Sequence, residues 1–221
     1  TSAPYTHEIV EAKSLPSVTI EHVEYDQDPA DDDIVRTFKG SICEGVTITS
    51  SKGEPAVTME FDFASAVLEK DGTPDTTSVM TKKPFQHDDL ATATFDSNTI
   101  PAISELSIEI ENDIKKIPKN GSLDAGEIVP LNRTYTISVT HTPEDSTFYD
   151  AWYNSTEGPA TFKYERDGNA DDSIEYSFTD VQVSDPGFST PLEDVEEADM
   201  ELRAKSLMVT VKSDSESYKI S

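Results

Sequence analysis

The sequence predicts a mainly β protein: a β-sandwich or partly closed barrel of about eight strands with one short flanking α-helix. Three observations predict it. Apolar side chains alternate with polar ones at a period of two in segment after segment. Clusters of Gly, Asp, Asn, Ser and Pro separate those segments. The spacing turns helical at one place, after Thr142. At 221 residues the chain is long enough to bury a substantial core as a single domain, residues 1–221.

The N-terminal segment, residues 1–33, begins weakly. Ser17 to Tyr25 holds one strand, and Asp26 to Asp33 is an acidic turn. Ile42, Val46 and Ile48 mark the next strand. Val57, Met59, Phe61 and Phe63 mark another, with Thr58, Glu60 and Asp62 on its opposite face. Ser50 to Gly53 joins these two as a hairpin turn, so they pair antiparallel. Ala64 to Lys70 carries on briefly. Asp71 to Asn98 is polar and turn-rich, with only Phe85 and Leu90 to bury. A connection of that length without periodicity is usually functional or disordered.

Ser104 to Asn154 carries the strongest signals. Leu106, Ile108 and Ile110 alternate with Glu105, Ser107, Glu109 and Glu111, which puts aliphatics on one sheet face and polar groups on the other. A polar, Gly-containing connection follows. Tyr135, Ile137 and Val139 then alternate with Thr134, Thr136, Ser138 and Thr140. Thr142-Pro143-Glu144-Asp145 reads as a helix start, with a Thr cap, a Pro in the first turn and acids at the positive end of the dipole. Phe148, Ala151 and Trp152 at helical spacing would pack on the sheet. Beyond it, Ala160, Phe162 and Tyr164 form one strand and Ile174, Tyr176 and Phe178 another, joined through Asp167 to Asp172. Val181 and Val183 resume one residue out of phase, which predicts a bulge near Thr179 or Asp180. After a Pro- and acid-rich connection, residues 185–197, come Met200, Leu202 and Ala204, then Leu207, Val209 and Val211, with a phase slip near Lys205 and Ser206. Tyr218 and Ile220 would end the chain as an edge or an arm.

Charge narrows the function. Asp and Glu total 44 against 17 Lys and Arg, a formal charge of -27 spread along the whole chain. Such a chain repels itself in dilute salt. At ~1 M salt the Debye length is ~3 Å and the repulsion is screened. The pattern fits the salt-rich cytoplasm of a halophilic archaeon, the alternative being an acidic mesophilic protein. Phosphate gripping needs a basic stripe, and the chain has none. The apolar fraction of 35% leaves part of the chain as loop or as surface that lies flat on a partner. Cys43 stands alone, which excludes an intrachain disulfide; it reads as a small core or boundary residue. No run approaches a membrane span or the apolar core of a signal peptide. A start at Thr1 rather than Met implies N-terminal processing.

Catalytic and metal signatures are missing. His7, His22, His87 and His141 are scattered without ligand spacing, and one cysteine makes no zinc pattern. The acidic runs from Asp26 and from Asp167 fail as calcium loops: the first has Ala30 at its fifth position, the second Phe178 at its twelfth. Nucleophile elbow, P-loop and dinucleotide fingerprints are all missing. With so many carboxylates, two can meet by chance as a glycosidase-like pair. Sequons at Asn132 and Asn154 are short enough to arise by accident. Neither a metal nor a cofactor is expected. Lys82 with Lys83, and Lys115, Lys116 and Lys119, are clustered cations in an acidic chain. They would either meet a neighbour's carboxylates and fix register, or simply be solvated.

SIEIEND at residues 107–113, a connection, then RTYTISVTHTPEDSTFYDAW at residues 133–152 resembles the major tail tube proteins of long-tailed, siphovirus-like viruses. The resemblance rests on strand polarity over about a quarter of the chain, and the rest agrees in size and β content. It implies a structural virion protein rather than an enzyme, in this chain from a haloarchaeal virus. It implies hexameric rings stacked into a hollow tail, assembled in the host cytoplasm. It implies contacts with tail terminator, baseplate hub and tape measure proteins, with double-stranded DNA passing through ungripped and no membrane involved. Glu105, Ser107, Glu109 and Glu111 would then face the lumen, and the clustered lysines would touch neighbouring subunits. The N-terminal segment and the connection at residues 71–98 would serve as assembly arms. Two other readings stay open: a halophile cell-surface or adhesin domain, and a β-sandwich glycoside hydrolase.

Overall fold

The computed structural model describes residues 4–12, 15–24, 34–70, 82–118, 120–121, 125–187 and 197–213. Thirteen strands and one α-helix follow in chain order. They are β1 (Tyr5–Val10), β2 (Val18–Glu24), β3 (Ile34–Ser51), β4 (Thr58–Ala64), β5 (Val67–Lys70), β6 (Leu90–Phe95) and β7 (Asn98–Thr99). Then come β8 (Ile103–Pro118), β9 (Ala125–His141), α1 (Thr147–Tyr153), β10 (Glu157–Glu165), β11 (Ser173–Asp185), β12 (Ala198–Ala204) and β13 (Ser206–Ser213).

The strands form one connected, open sheet folded on itself into a sandwich. One layer runs β4-β3-β8-β9-β12 and the other β1-β13-β11-β10-β6-β7. Strand β11 joins them. Its first half pairs with β13 and its last residues with β12. The switch falls at Asp180, which has a positive φ of 49°, next to exposed Thr179. This is the bulge that the phase slip at Thr179 and Asp180 predicts.

Alternation fixes what each layer buries. Leu106 and Ile108 of β8, Tyr135, Ile137 and Val139 of β9, and Met200 and Leu202 of β12 point inward from the first layer. Phe95, Ala160, Phe162, Tyr164, Tyr176, Phe178 and Val181 meet them from the second. Tyr135 lies edge-on to Phe178 at 6.3 Å, an arrangement aromatic quadrupoles favour. Phe148 of α1 plugs one end, between Phe95 and His141.

Several elements differ from the sequence expectation. The helix starts at Thr147 rather than at Thr142, with Ser146 at the N-cap, and the Thr147 N–H donates to the Asp145 carboxylate at 2.9 Å. The Thr147 hydroxyl, and after it that N–H, holds the Asp145 carboxyl below its ordinary range. Trp152 faces outward instead of packing on the sheet. The connection expected over residues 71–98 ends early. Residues 71–81 lie outside the described residues, but His87–Asp89 form a 3-10 turn and β6 puts Ala93 and Phe95 into the core. The polar connection between the central strands is largely strand too, because β8 runs to Pro118 and β9 begins at Ala125. Two tight features bring β6 and β7 onto β10. Asp96 and Ser97 both take positive φ, as a two-residue hairpin loop requires. Gly158 then sits so close that a Cβ there would lie 2.6 Å from that of Asp96.

Two extensions leave the sandwich at the same end. The first half of β3 carries β2 on one edge and β5 on the other. Beyond Asn112, β8 leaves β3 and continues only with β9. Asn112 marks the departure: its amide donates to the Cys43 carbonyl at 3.1 Å and its oxygen accepts from Arg133 Nε at 2.6 Å. The acidic turn at residues 26–33 and the terminal Tyr218 and Ile220 lie outside the described residues.

Candidate functional site

The outward face of the first layer is the most distinctive surface. Residues paired across five strands line up in rows. Glu60, Thr47, Glu109, Thr136 and Arg203 make one row. Thr58, Thr49, Ser107, Ser138 and Glu201 make the next. Ser51, Glu105, Thr140 and Asp199 make a third. Asp62, Gly45, Glu111 and Thr134 make a fourth. No row contains an aliphatic or aromatic side chain, although the same strands are densely apolar on their other face. Glu105, Glu109 and Glu111 are exposed and Ser107 is half-buried between neighbouring strands. Hydroxyl groups support the acids: Thr134 donates to Glu111 at 3.3 Å and Thr140 to Asp199 at 2.7 Å.

The structure thus puts the four polar β8 residues on one face and adds partners that the sequence reading did not assign. Those from β3, β9 and β12 were visible as alternation phases. Which phases share a face depends on register, and pairing alone reveals that.

The lysines divide. Lys82 lies 3.1 Å from Asp172 and Lys83 3.4 Å from Asp167, both on the β10–β11 turn of the same chain. Arg166 joins them, bonded to Asp172 at 2.8 Å and stacked 4.3 Å above the Phe85 ring. These contacts tie the approach to β6 onto the sandwich. Lys115 and Lys116 are exposed on the part of β8 that extends past β3. Lys119 lies outside the described residues.

Two buried histidines invite chemical readings. Ser50 lies 2.9 Å from Nδ1 of His87, whose Nε2 lies 2.9 Å from the Ile103 carbonyl. A carbonyl only accepts, so Nε2–H donates to it; in the neutral ring Nδ1 then accepts from the Ser50 hydroxyl. Both residues are buried, and the pair pins the 3-10 turn to β3 and β8. His141 is fully buried and neither ring nitrogen makes a hydrogen bond. Burial holds it below its ordinary 6.5; the nearby Thr142 backbone opposes this weakly without reaching bonding geometry. A cleft of about 460 Å³ is lined by acids of β3, β4 and β8, including Glu44, Asp62, Glu109, Glu111 and Asp113. No group of three or more His, Cys, Asp or Glu among the described residues is placed to hold a metal. No helix among them is long and apolar enough to cross a membrane.

Sandwich, open edges, projecting strand pairs and a wide polar face define a structural β protein whose surfaces suit assembly. The family comparison agrees: residues 6–204 match the model of the phage tail tube proteins. The match covers nearly the whole chain, and the protein belongs to that family, a structural component of the virion tail that assembles with other tail proteins. No curated protein matches the chain.

Proposed function

We propose that this protein is the major tail tube subunit of a siphovirus-like haloarchaeal virus and forms hexameric rings stacked into a hollow tube. The outward face of the first layer lines the lumen. Strands β4, β3, β8 and β9 of each copy form the wall, an inner barrel of about 24 strands, while β12 turns the corner toward β11. The observation that carries this is the row pattern: five adjacent strands present polar side chains, mostly hydroxyls and carboxylates with Arg203 at one margin, on one face, and β3, β8, β9 and β12 bury core residues on the other. Water fills the lumen, and an acidic wall repels DNA phosphates, so a duplex slides through instead of sticking.

The extensions serve stacking. The β2–β3–β5 unit and the β8–β9 hairpin, with Lys115 and Lys116, reach toward the next ring, and the parts of residues 1–33 and 71–98 that lie outside β1, the 3-10 turn, β6 and β7 complete the contact. Lys82, Lys83 and Lys119 add cations at ring boundaries. The tube ends meet tail terminator and baseplate hub proteins, a tape measure protein occupies the lumen before DNA, and assembly takes place in the host cytoplasm. The net charge of -27 supports a salt-rich host.

The test is negative-stain microscopy of purified protein in ~2 M salt and after dialysis to ~10 mM, where the Debye length reaches ~30 Å. Sixfold rings or tubes are expected in the first and their loss in the second. Monomers in high salt would overturn the tube reading, and intact tubes in low salt would overturn the halophile part.

A further inference from the structure

Three side chains that strand alternation assigns to the core are not covered. Residue pairing puts Met59 beside Ile48 and Phe61 beside Val46, so the apolar face of β4 points the same way as the core. Yet Met59, Phe61 and Phe63 are 46%, 50% and 38% exposed, and the two rings lie against each other at 6.1 Å. Sheet pairing ends there as well. β4 bonds to β3 alone among the described strands, which leaves its other edge without a partner. An unpaired edge with an exposed apolar face is a template for association.

Charge tells which partner fits. In the row through Glu109, the β4 end is Glu60 and the β12 end is Arg203. In the next row toward the extensions the β4 end is Asp62, and Lys205 follows just past β12. In the row on the other side, Thr58 stands at one end and Glu201 at the other. Acids at one margin therefore meet bases at the other, and the remaining acid meets a neutral group. Beyond Lys205 lies a second exposed apolar pair, Val10 and Met208, directly opposite each other on β1 and β13. The two bases have carboxylate neighbours of their own, Glu201 at 3.1 Å and Asp180 at 3.7 Å. Exposed pairs of this kind hold little and can be exchanged.

We propose that β4 is the lateral contact of a ring and that its occupant is a second copy of this chain. Met59, Phe61 and Phe63 pack on Val10 and Met208 at the β12–β13 corner of the next copy, and Glu60 and Asp62 face its Arg203 and Lys205. The contact joins two different patches, as a closed ring needs, and an axis along the strands keeps the rows in step. This inference rests on the ring reading above.

The experiment compares assembly and folding in one set of variants. Wild type should form rings in molar salt; failure to do so would overturn the ring reading and this contact with it. Phe61→Ser with Phe63→Ser should keep the wild-type circular dichroism, since the rings are exposed in the free subunit. It should raise the concentration needed for assembly about tenfold or more. Assembly at the wild-type concentration would overturn the contact while leaving the ring reading intact. Loss of fold would mean that another part of the same chain covers β4, and would overturn it too. As a second measurement, Glu60→Cys with Arg203→Cys in a Cys43→Ser background should give, on oxidation, a ladder of covalent oligomers that ends at a closed ring. Monomer alone after oxidation of assembled rings would count against the proposed register and sink the contact.

Discussion

Strands β4 and β8 lie on opposite edges of β3 and carry nearly the same message. In β8, Leu106, Ile108 and Ile110 alternate with Glu105, Ser107, Glu109 and Glu111. In β4, Met59, Phe61 and Phe63 alternate with Thr58, Glu60 and Asp62. Ile108 is fully buried, while half the surface of Phe61 is exposed. Composition does not explain the difference, since both apolar faces point to the core side. Position does. β8 has strands on both edges and the second layer beneath it; β4 is the last strand of its layer and extends past that cover. Alternation therefore specifies a face. Whether the face is filled from within the chain or left for a partner depends on distance from the centre of the sheet.

Substitutions on the two apolar faces should separate these roles most sharply. Ile108→Ala removes a fully buried side chain and should cost about 2–5 kcal/mol. Phe61→Ala removes a larger side chain from an exposed site and should cost under about 1 kcal/mol in the unassembled subunit. Urea unfolding in molar salt, below the assembly concentration, checks both. Equal losses would mean that β4 is covered in the free chain, and the distinction between centre and edge would fail.

A smaller effect should come from acid. His141 closes β9 under α1, in the covered half of the sandwich, whereas His22 is exposed on β2. Burial favours the neutral form of His141, so its folded pKa lies below the unfolded 6.5. As pH falls through about 6.5, the unfolded chain gains a proton that the folded chain refuses, and stability drops until the folded pKa is passed. Between pH 7.5 and 5.5 wild type should lose more melting temperature than His141→Leu. Equal losses in wild type and His141→Leu would show that His141 protonates without penalty.

Much of this was legible in the sequence because a period of two survives any tertiary context. The central strands, the bulge at Thr179 and Asp180 and the break near Lys205 follow from phase alone. The β6 strand was hidden: Leu90 to Phe95 has Ala and Thr where larger side chains would mark a face, so the sequence offered Leu90 for burial and left Phe95 unassigned. The long β8–β9 hairpin was hidden for another reason. Lys115, Lys116 and Pro118 read as loop, yet cross-strand pairing needs no apolar side chains once the register is set upstream. The polar β8 residues of the candidate site were visible from alternation. Their neighbours in each row were not, because register across five strands is a property of pairing.

The polar face offers the smallest effect on folding and the finest test of the comparison. Glu105, Glu109 and Glu111 project from the centre of the layer, while Glu60 and Asp62 project from its margin. None of the five contributes to the core, so changing any of them to Lys should shift the stability of the free subunit by about 0.5 kcal/mol or less. Their consequences in the assembly should differ. Asp62→Lys would set like charges together at the lateral contact and hinder ring closure. The triple change of Glu105, Glu109 and Glu111 to Lys should leave rings able to form, because these exposed side chains stand away from the β4 margin of the layer. In a sixfold ring it would replace three carboxylates per copy with three ammonium groups and reverse the sign of the wall. Lysines facing the channel would release counterions from DNA and hold its phosphates. The expected phenotype is a complete particle that ejects its genome slowly or in part, measured as DNA released over time from purified virions. Normal ejection by the triple variant, or rings in which these residues face outward, would contradict the lumen assignment. Failure of the triple variant to form rings, with the free subunit still folded, would instead move the lateral contact from β4 toward the centre of the layer.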